Sequence, residues 1–186
     1  PDGNVISYGV TGTDMYFAKG AYDFGFAKLG ADYVKFQGDT NSTDHYVAGD
    51  ELYGINLNIP VQQFNVFGEY WKNTNAADKY DTAWNAGLSY GKADWKKAGT
   101  WDLSVAYNDV DYNVYFGGGT WHNDMLKNFT AGYLNAYNLT FWTAIANVTL
   151  QKNVQLHAEY AFAADAEGTN GVDPDDSWTV SLNYTF

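Results

Sequence analysis

At 186 residues the chain is long enough for one large domain or a sizeable part of a bigger one. Its 22 acidic residues face only 10 basic ones, all lysine, and the formal charge of -12 argues against a nucleic-acid partner, because phosphate binding needs basic surfaces. Tyr (16), Phe (11), Trp (7) and Gly (19) are abundant and Cys is missing, and no run approaches the ~18 apolar residues of a membrane helix, so any crossing is by strands.

The opening PDGNVISYG has neither a basic n-region nor an apolar h-region, which suits a mature protein or a fragment without its signal. From there the pattern has period two. YGINLNIP sets Tyr53, Ile55, Leu57 and Ile59 against Gly54, Asn56 and Asn58; TAWNAGLSYGK sets Trp84, Ala86, Leu88 and Tyr90 against Asn85, Gly87, Ser89 and Gly91. TWDLSVAYND, VQLHAEYAFAA and the closing SWTVSLNYTF alternate in the same way. Successive side chains of a strand point to opposite faces, whereas helical spacing would scatter these positions around a cylinder. The alternation predicts strands at about 5–11, 15–29, 31–38, 48–60, 62–73, 80–92, 99–110, 137–150, 153–164 and 176–186. Short connections at Leu29–Ala31, Pro60–Gln62, Ala93–Ala98 and Gln151–Asn153 alternate with long polar ones at 38–47, 73–80, 110–136 and 164–176. Short turns on one side and long loops on the other are the plan of an all-β, antiparallel up-and-down transmembrane β-barrel, here a single domain with about ten strands.

The Tyr-x-Phe ending with Phe186, the alternating last strand, and LQKNVQLHAEYAF, a tight turn between aromatic-rich strands, resemble the C-terminal portion of a Gram-negative outer-membrane porin. The resemblance implies a bacterial outer-membrane location, lipid and lipopolysaccharide as surroundings, and a homotrimer. It also implies an assembly signal on Phe186, Tyr184, Leu182 and Val180, read by the barrel-assembly machinery. Barrels of that family have roughly sixteen to eighteen strands, so about ten strands reads as part of a larger barrel rather than a complete small one. The chain departs from the family in having no arginine for a basic cluster across the pore.

With Trp178, Tyr160 and Leu88 facing lipid, the opposite phase turns Asp23, Glu69, Asp102, His157 and Glu159 toward water. Carboxylates on a low-dielectric wall concentrate cations; each could equally be a solvated residue of no consequence alone. The longest unpatterned stretch, about 111–138, carries Gly117, Gly118 and Gly119, which permit tight bends, and Trp121, His122 and Asp124, which could pack in a barrel mouth as a constriction loop. The competing reading is an external flap. Asp173, Asp175 and Asp176 share one loop and are of the type that holds calcium, though a solvated acidic loop explains them as well; no other cofactor is implied. Catalysis has little to stand on, with three histidines, no Cys and none of the HExxH or GxSxG patterns.

The sequence therefore points to a porin, not an enzyme: a water-filled, cation-preferring channel for passive diffusion of small hydrophilic solutes. Two rivals are a small closed outer-membrane barrel with a structural or adhesion role, and a soluble aromatic-rich β-sandwich that binds carbohydrate.

Overall fold

The computed structural model describes residues 14–37, 50–76, 80–114, 136–168 and 173–185. Nine strands follow in chain order: β1 (Asp14–Asp23), β2 (Lys28–Gln37), β3 (Glu51–Val61), β4 (Phe64–Asn73), β5 (Thr82–Gly91), β6 (Trp101–Asp111), β7 (Ala136–Gln151), β8 (Val154–Gly168) and β9 (Ser177–Tyr184). One 3-10 turn, η1 (Tyr112–Val114), follows β6. Each strand pairs antiparallel with the next, in a single sheet of order β1 to β9. Among the described residues β1 and β9 are each paired on one side only, so the sheet is open.

The up-and-down antiparallel sheet agrees with the alternation, and two details differ from it. Of the ten expected strands, 5–11 lies outside the described residues. The expected strand 15–29 ends early, at Asp23, and its last residues belong to β2, because the chain turns at Phe24–Ala27 and not at Leu29–Ala31. Gly25 adopts φ 85, its N–H donates to Asp23 Oδ1 at 2.8 Å, and Phe24 N–H donates to Ala27 O at 2.8 Å. Gly30, which looked like the turn residue, is inside β2 opposite Asn56. The β3–β4 and β7–β8 connections are two-residue hairpins, with Gln62 at φ 57 and Asn153 at φ 66. Such tight turns require a left-handed residue to match the twist of the strands they join.

Residues paired across an antiparallel ladder share a face, so the register sorts the sheet into two surfaces. One is apolar. Near the long-loop end it carries one ring from every strand: Tyr16, Tyr33, Tyr53, Tyr70, Trp84, Tyr107, Trp142, Tyr160 and Trp178. Neighbouring rings touch, with centroids 5.1 Å apart for Tyr33–Tyr53, 5.4 Å for Trp84–Tyr107 and 5.3 Å for Tyr107–Trp142. A second row near the short turns includes Tyr22, Phe64, Tyr90, Trp101 and Tyr184, with Phe64–Tyr90 at 4.8 Å and Tyr90–Trp101 at 5.6 Å.

Between the rows stand only aliphatic residues, alanine and glycine, such as Ile55, Leu57, Val66, Ala86, Leu88, Leu103, Ala146, Leu156, Val180 and Leu182. Among the described residues no polar or charged side chain interrupts this band. The charged residues of this face, Asp14, Lys35, Glu51, Lys72, Asp109, Asp111, Asp165 and Glu167, all lie beyond the long-loop row of rings. The band is uncovered, with Ile55 at 55% and Leu182 at 45% exposure.

Candidate functional site

The opposite face is largely polar and holds most of the buried side chains, with an apolar cluster of Leu139, Phe141, Ala161 and Ala166 toward its long-loop end. Here lie Asn56, Asn58, Asn65, Asn85, Ser89, Ser104, Asn108, Thr143, Asn147, Ser181 and Asn183, which alternate along their strands with the apolar set. The residues that sequence phase turned toward water, Asp23, Glu69, Asp102, His157 and Glu159, all fall on this face, but they do not form one cluster.

Asp23 ends β1 at a short turn, where it accepts from Gly25 N–H and pairs with Lys28 at 3.5 Å. Asp102 is spent on the fold. Its Oδ2 accepts Ala93 N–H at 2.9 Å, fixing the 92–100 turn, and its Oδ1 accepts Asn147 Nδ2 at 2.7 Å. Asn147 Oδ1 in turn meets His157 Nδ1 at 2.8 Å, and His157 Nε2 stands 3.6 Å from Glu159 Oε2. A polar chain thus runs from β6 across β7 to β8. Glu69 is half-buried on β4 and accepts the indole N–H of Trp71 at 2.6 Å.

Sequence reasoning missed several members of this face. Lys19 and Asp32 are on it, 3.4 Å apart, and Asn56 Nδ2 donates to Asp32 Oδ2 at 2.9 Å. Lys19 precedes Asp23 by four residues and so shares its strand phase, a signal that was available. Trp71, two residues after Glu69, is an aromatic on the polar face for the same reason. Within the strands the face carries Asp23, Asp32, Glu69, Asp102 and Glu159 against Lys19 and Lys28, an excess of negative charge.

At the long-loop rim, burial pushes the Asp50 carboxyl above the ordinary carboxylate range, while a hydrogen bond from Asn73 pulls the other way. Asn73 is fully buried and donates from Nδ2 to Asn113 O at 2.8 Å. That bond draws η1, the start of the long 111–138 stretch, back from β6 to the end of β4, and η1 packs against β4, β5 and β7. Gly117, Gly118, Gly119, Trp121, His122 and Asp124 lie outside the described residues.

Val180, Leu182 and Tyr184 of the expected assembly signal are exposed on the apolar face; Phe186 lies outside the described residues. In the last loop, Asp173 Oδ1 accepts Ala166 N–H at 3.0 Å, and Asp176 accepts both Ala163 N–H at 3.3 Å and the Tyr160 hydroxyl. These two carboxylates hold the end of β8, where Ala163 sits at φ 52 beside a register shift in the β7–β8 ladder. Among the described residues no three acidic or histidine side chains come together as a metal ion would need. No protein-family model and no curated protein matches the chain.

Proposed function

We propose that the chain forms the wall, or part of the wall, of a water-filled β-barrel channel of the bacterial outer membrane, which passes small hydrophilic solutes by diffusion and favours cations. The observation that carries this reading is the uninterrupted apolar band between two rows of rings. Nine strands ~4.8 Å apart and a row separation of ~20 Å along the strand give about 800 Å² of flat apolar surface, beyond the few hundred that soluble monomers expose. In water such a face would demand a covering layer. In a bilayer it is the required exterior, with Tyr and Trp at both interfaces and uncharged residues between.

The opposite face, rich in Asn, Ser and Thr with an excess of carboxylates, suits an aqueous lumen. Solute passage needs no bond chemistry, only width and field. The return of η1 toward β4 supports a reading of the 111–138 stretch as a segment that narrows the mouth.

The test is reconstitution of the full chain into planar bilayers and liposomes. Stepwise conductance that scales with bulk salt conductivity, and liposome swelling that slows as neutral solutes grow, are expected. A monodisperse, detergent-free soluble protein, or a membrane-embedded protein without conductance, overturns the channel.

A further inference from the structure

The polar face holds one aromatic arrangement that channel passage alone does not explain. Trp71 on β4 pairs with Gly54 on β3. A Cβ at Gly54 would meet Cε2, Cδ2 and Cζ2 of the indole at 2.7 to 2.8 Å. Three atoms about the fused bond at nearly one distance mean that the ring lies face-on against the buried glycine. Its Nε1–H is fixed by Glu69 Oε1 at 2.6 Å. One ring face is thus spent on backbone and the edge donor is satisfied, so the exposure that remains to the half-buried ring falls to its other face.

In register, Glu69 is flanked by Asn56 on β3 and Asn85 on β5. Neither Glu69 Oε2 nor the Asn85 amide makes a hydrogen bond among the described residues, while Asn56 uses its Nδ2 on Asp32. We infer that Trp71, Glu69, Asn56 and Asn85 form a seat for one ring of a neutral sugar, near the long-loop mouth of the channel. This deepens the channel reading and rests on it for the placement of the face in water.

The chemistry selects the ligand class. A pyranose with equatorial hydroxyls has an apolar C–H face that stacks on an indole, and its hydroxyls radiate in the ring plane as both donors and acceptors. A carboxylate offers acceptors only, whereas an amide offers both, so carboxylate and amide beside one aromatic ring match hydroxyl groups. A bare cation over the indole would leave the Asn85 donors without use. Glu69 and Asp32 disfavour anionic sugars. Each strand adds ~4.8 Å, so Asn56 to Asn85 spans about 10 Å, room for one ring with its hydroxyls.

The test measures ion current through single channels while a neutral glucose trisaccharide is added on the long-loop side, with poly(ethylene glycol) of equal hydrodynamic size as control. The sugar should interrupt the current at concentrations where the polymer acts only by volume. Trp71→Ala, and Gly54→Ala, which pushes the ring off its support, should each raise the half-blocking concentration roughly tenfold. Asn85→Leu, at a half-exposed position, should raise it severalfold if either of the others folds poorly.

Conductance with no sugar block, or with block unchanged in all three variants, overturns the seat and leaves the channel standing. Retention of tetraethylammonium but not sugar, abolished by Trp71→Ala, also overturns it, in favour of a cation. Absence of conductance overturns the channel; the seat is then decided by titrating tryptophan fluorescence of the detergent-folded protein with the trisaccharide. A saturable change lost in the same variants supports it, and no saturable change overturns it.

Discussion

Glycine stands on both faces of this sheet for opposite reasons. Gly20, on the apolar face between Ala18 and Tyr22, has no atom within 4 Å of the place a Cβ would occupy. Gly87, on the polar face, would bring a Cβ to 2.5 Å from the Phe67 ring and 2.6 Å from Val105 O, and backbone cannot step aside. Gly20→Ala should therefore be neutral or stabilise by about 0.5 kcal/mol, through lost freedom of the unfolded chain, while Gly87→Ala should destabilise by about 1–3 kcal/mol. Urea titration of the protein folded into lipid vesicles reads both, and equal effects would mean that Phe67 does not pack on Gly87. Adjacent residues of β9 give a sharper contrast. Leu182 lies in the apolar band and Ser181 pairs with His157 on the polar side. Leu182→Arg should cost about 2–4 kcal/mol in a bilayer, whereas Ser181→Arg should fold. The reverse order would turn the sheet inside out.

Between strands, the polar chain from Asp102 through Asn147 to His157 and Glu159 ties β6, β7 and β8 on the short-turn side of the apolar cluster of Leu139, Phe141, Ala161 and Ala166. Replacement of Asn147 by Leu removes the partner of Asp102 Oδ1 and of His157 Nδ1 together. Stranding half-buried polar groups costs about 1–3 kcal/mol, and a loss below the ~0.5 kcal/mol of an ordinary surface change would mean that water replaces the amide freely. Strand identity and phase were legible because alternation is a local property, written in stretches such as Trp84 to Tyr90. The first turn was hidden because Tyr22, Phe24 and Phe26 carry the alternation straight through it. Tyr22 and Phe24 pack in the structure at 4.7 Å, and Gly25, not Gly30, takes the positive φ. The indole seat was hidden for another reason. In one dimension Trp71 is an aromatic in the polar phase with nothing beside it, and only the register that sets it on Gly54 shows what it rests against. Likewise the Lys19–Asp32 pair joins two strands that one dimension keeps apart.

At the scale of the molecule, the nine strands of the described residues leave β1 and β9 running the same way, so they cannot pair antiparallel with each other. A wholly antiparallel barrel closed through these two edges takes an odd number of further strands, and residues 5–11 carry the sequence pattern of one. In the proposed channel, whatever completes the ring, the polar face contributes Asp23, Asp32, Glu69, Asp102 and Glu159 against Lys19 and Lys28. Fixed charge acts over about a Debye length, roughly 10 Å at 0.1 M salt and 3 Å at 1 M. Reversal potentials across a potassium chloride gradient should show cation preference that is strong in dilute salt and fades in concentrated salt. Glu69→Gln combined with Glu159→Gln should weaken that preference more than neutralising Asp173 and Asp175 in the outer loop, because the first pair stands on the wall the ions pass. Lys28→Gln should strengthen it, since it frees the charge of Asp23 at the short-turn end. A larger effect from the loop acids would put the filter at the mouth, and preference for anions would mean that lysines outside these strands govern the pore.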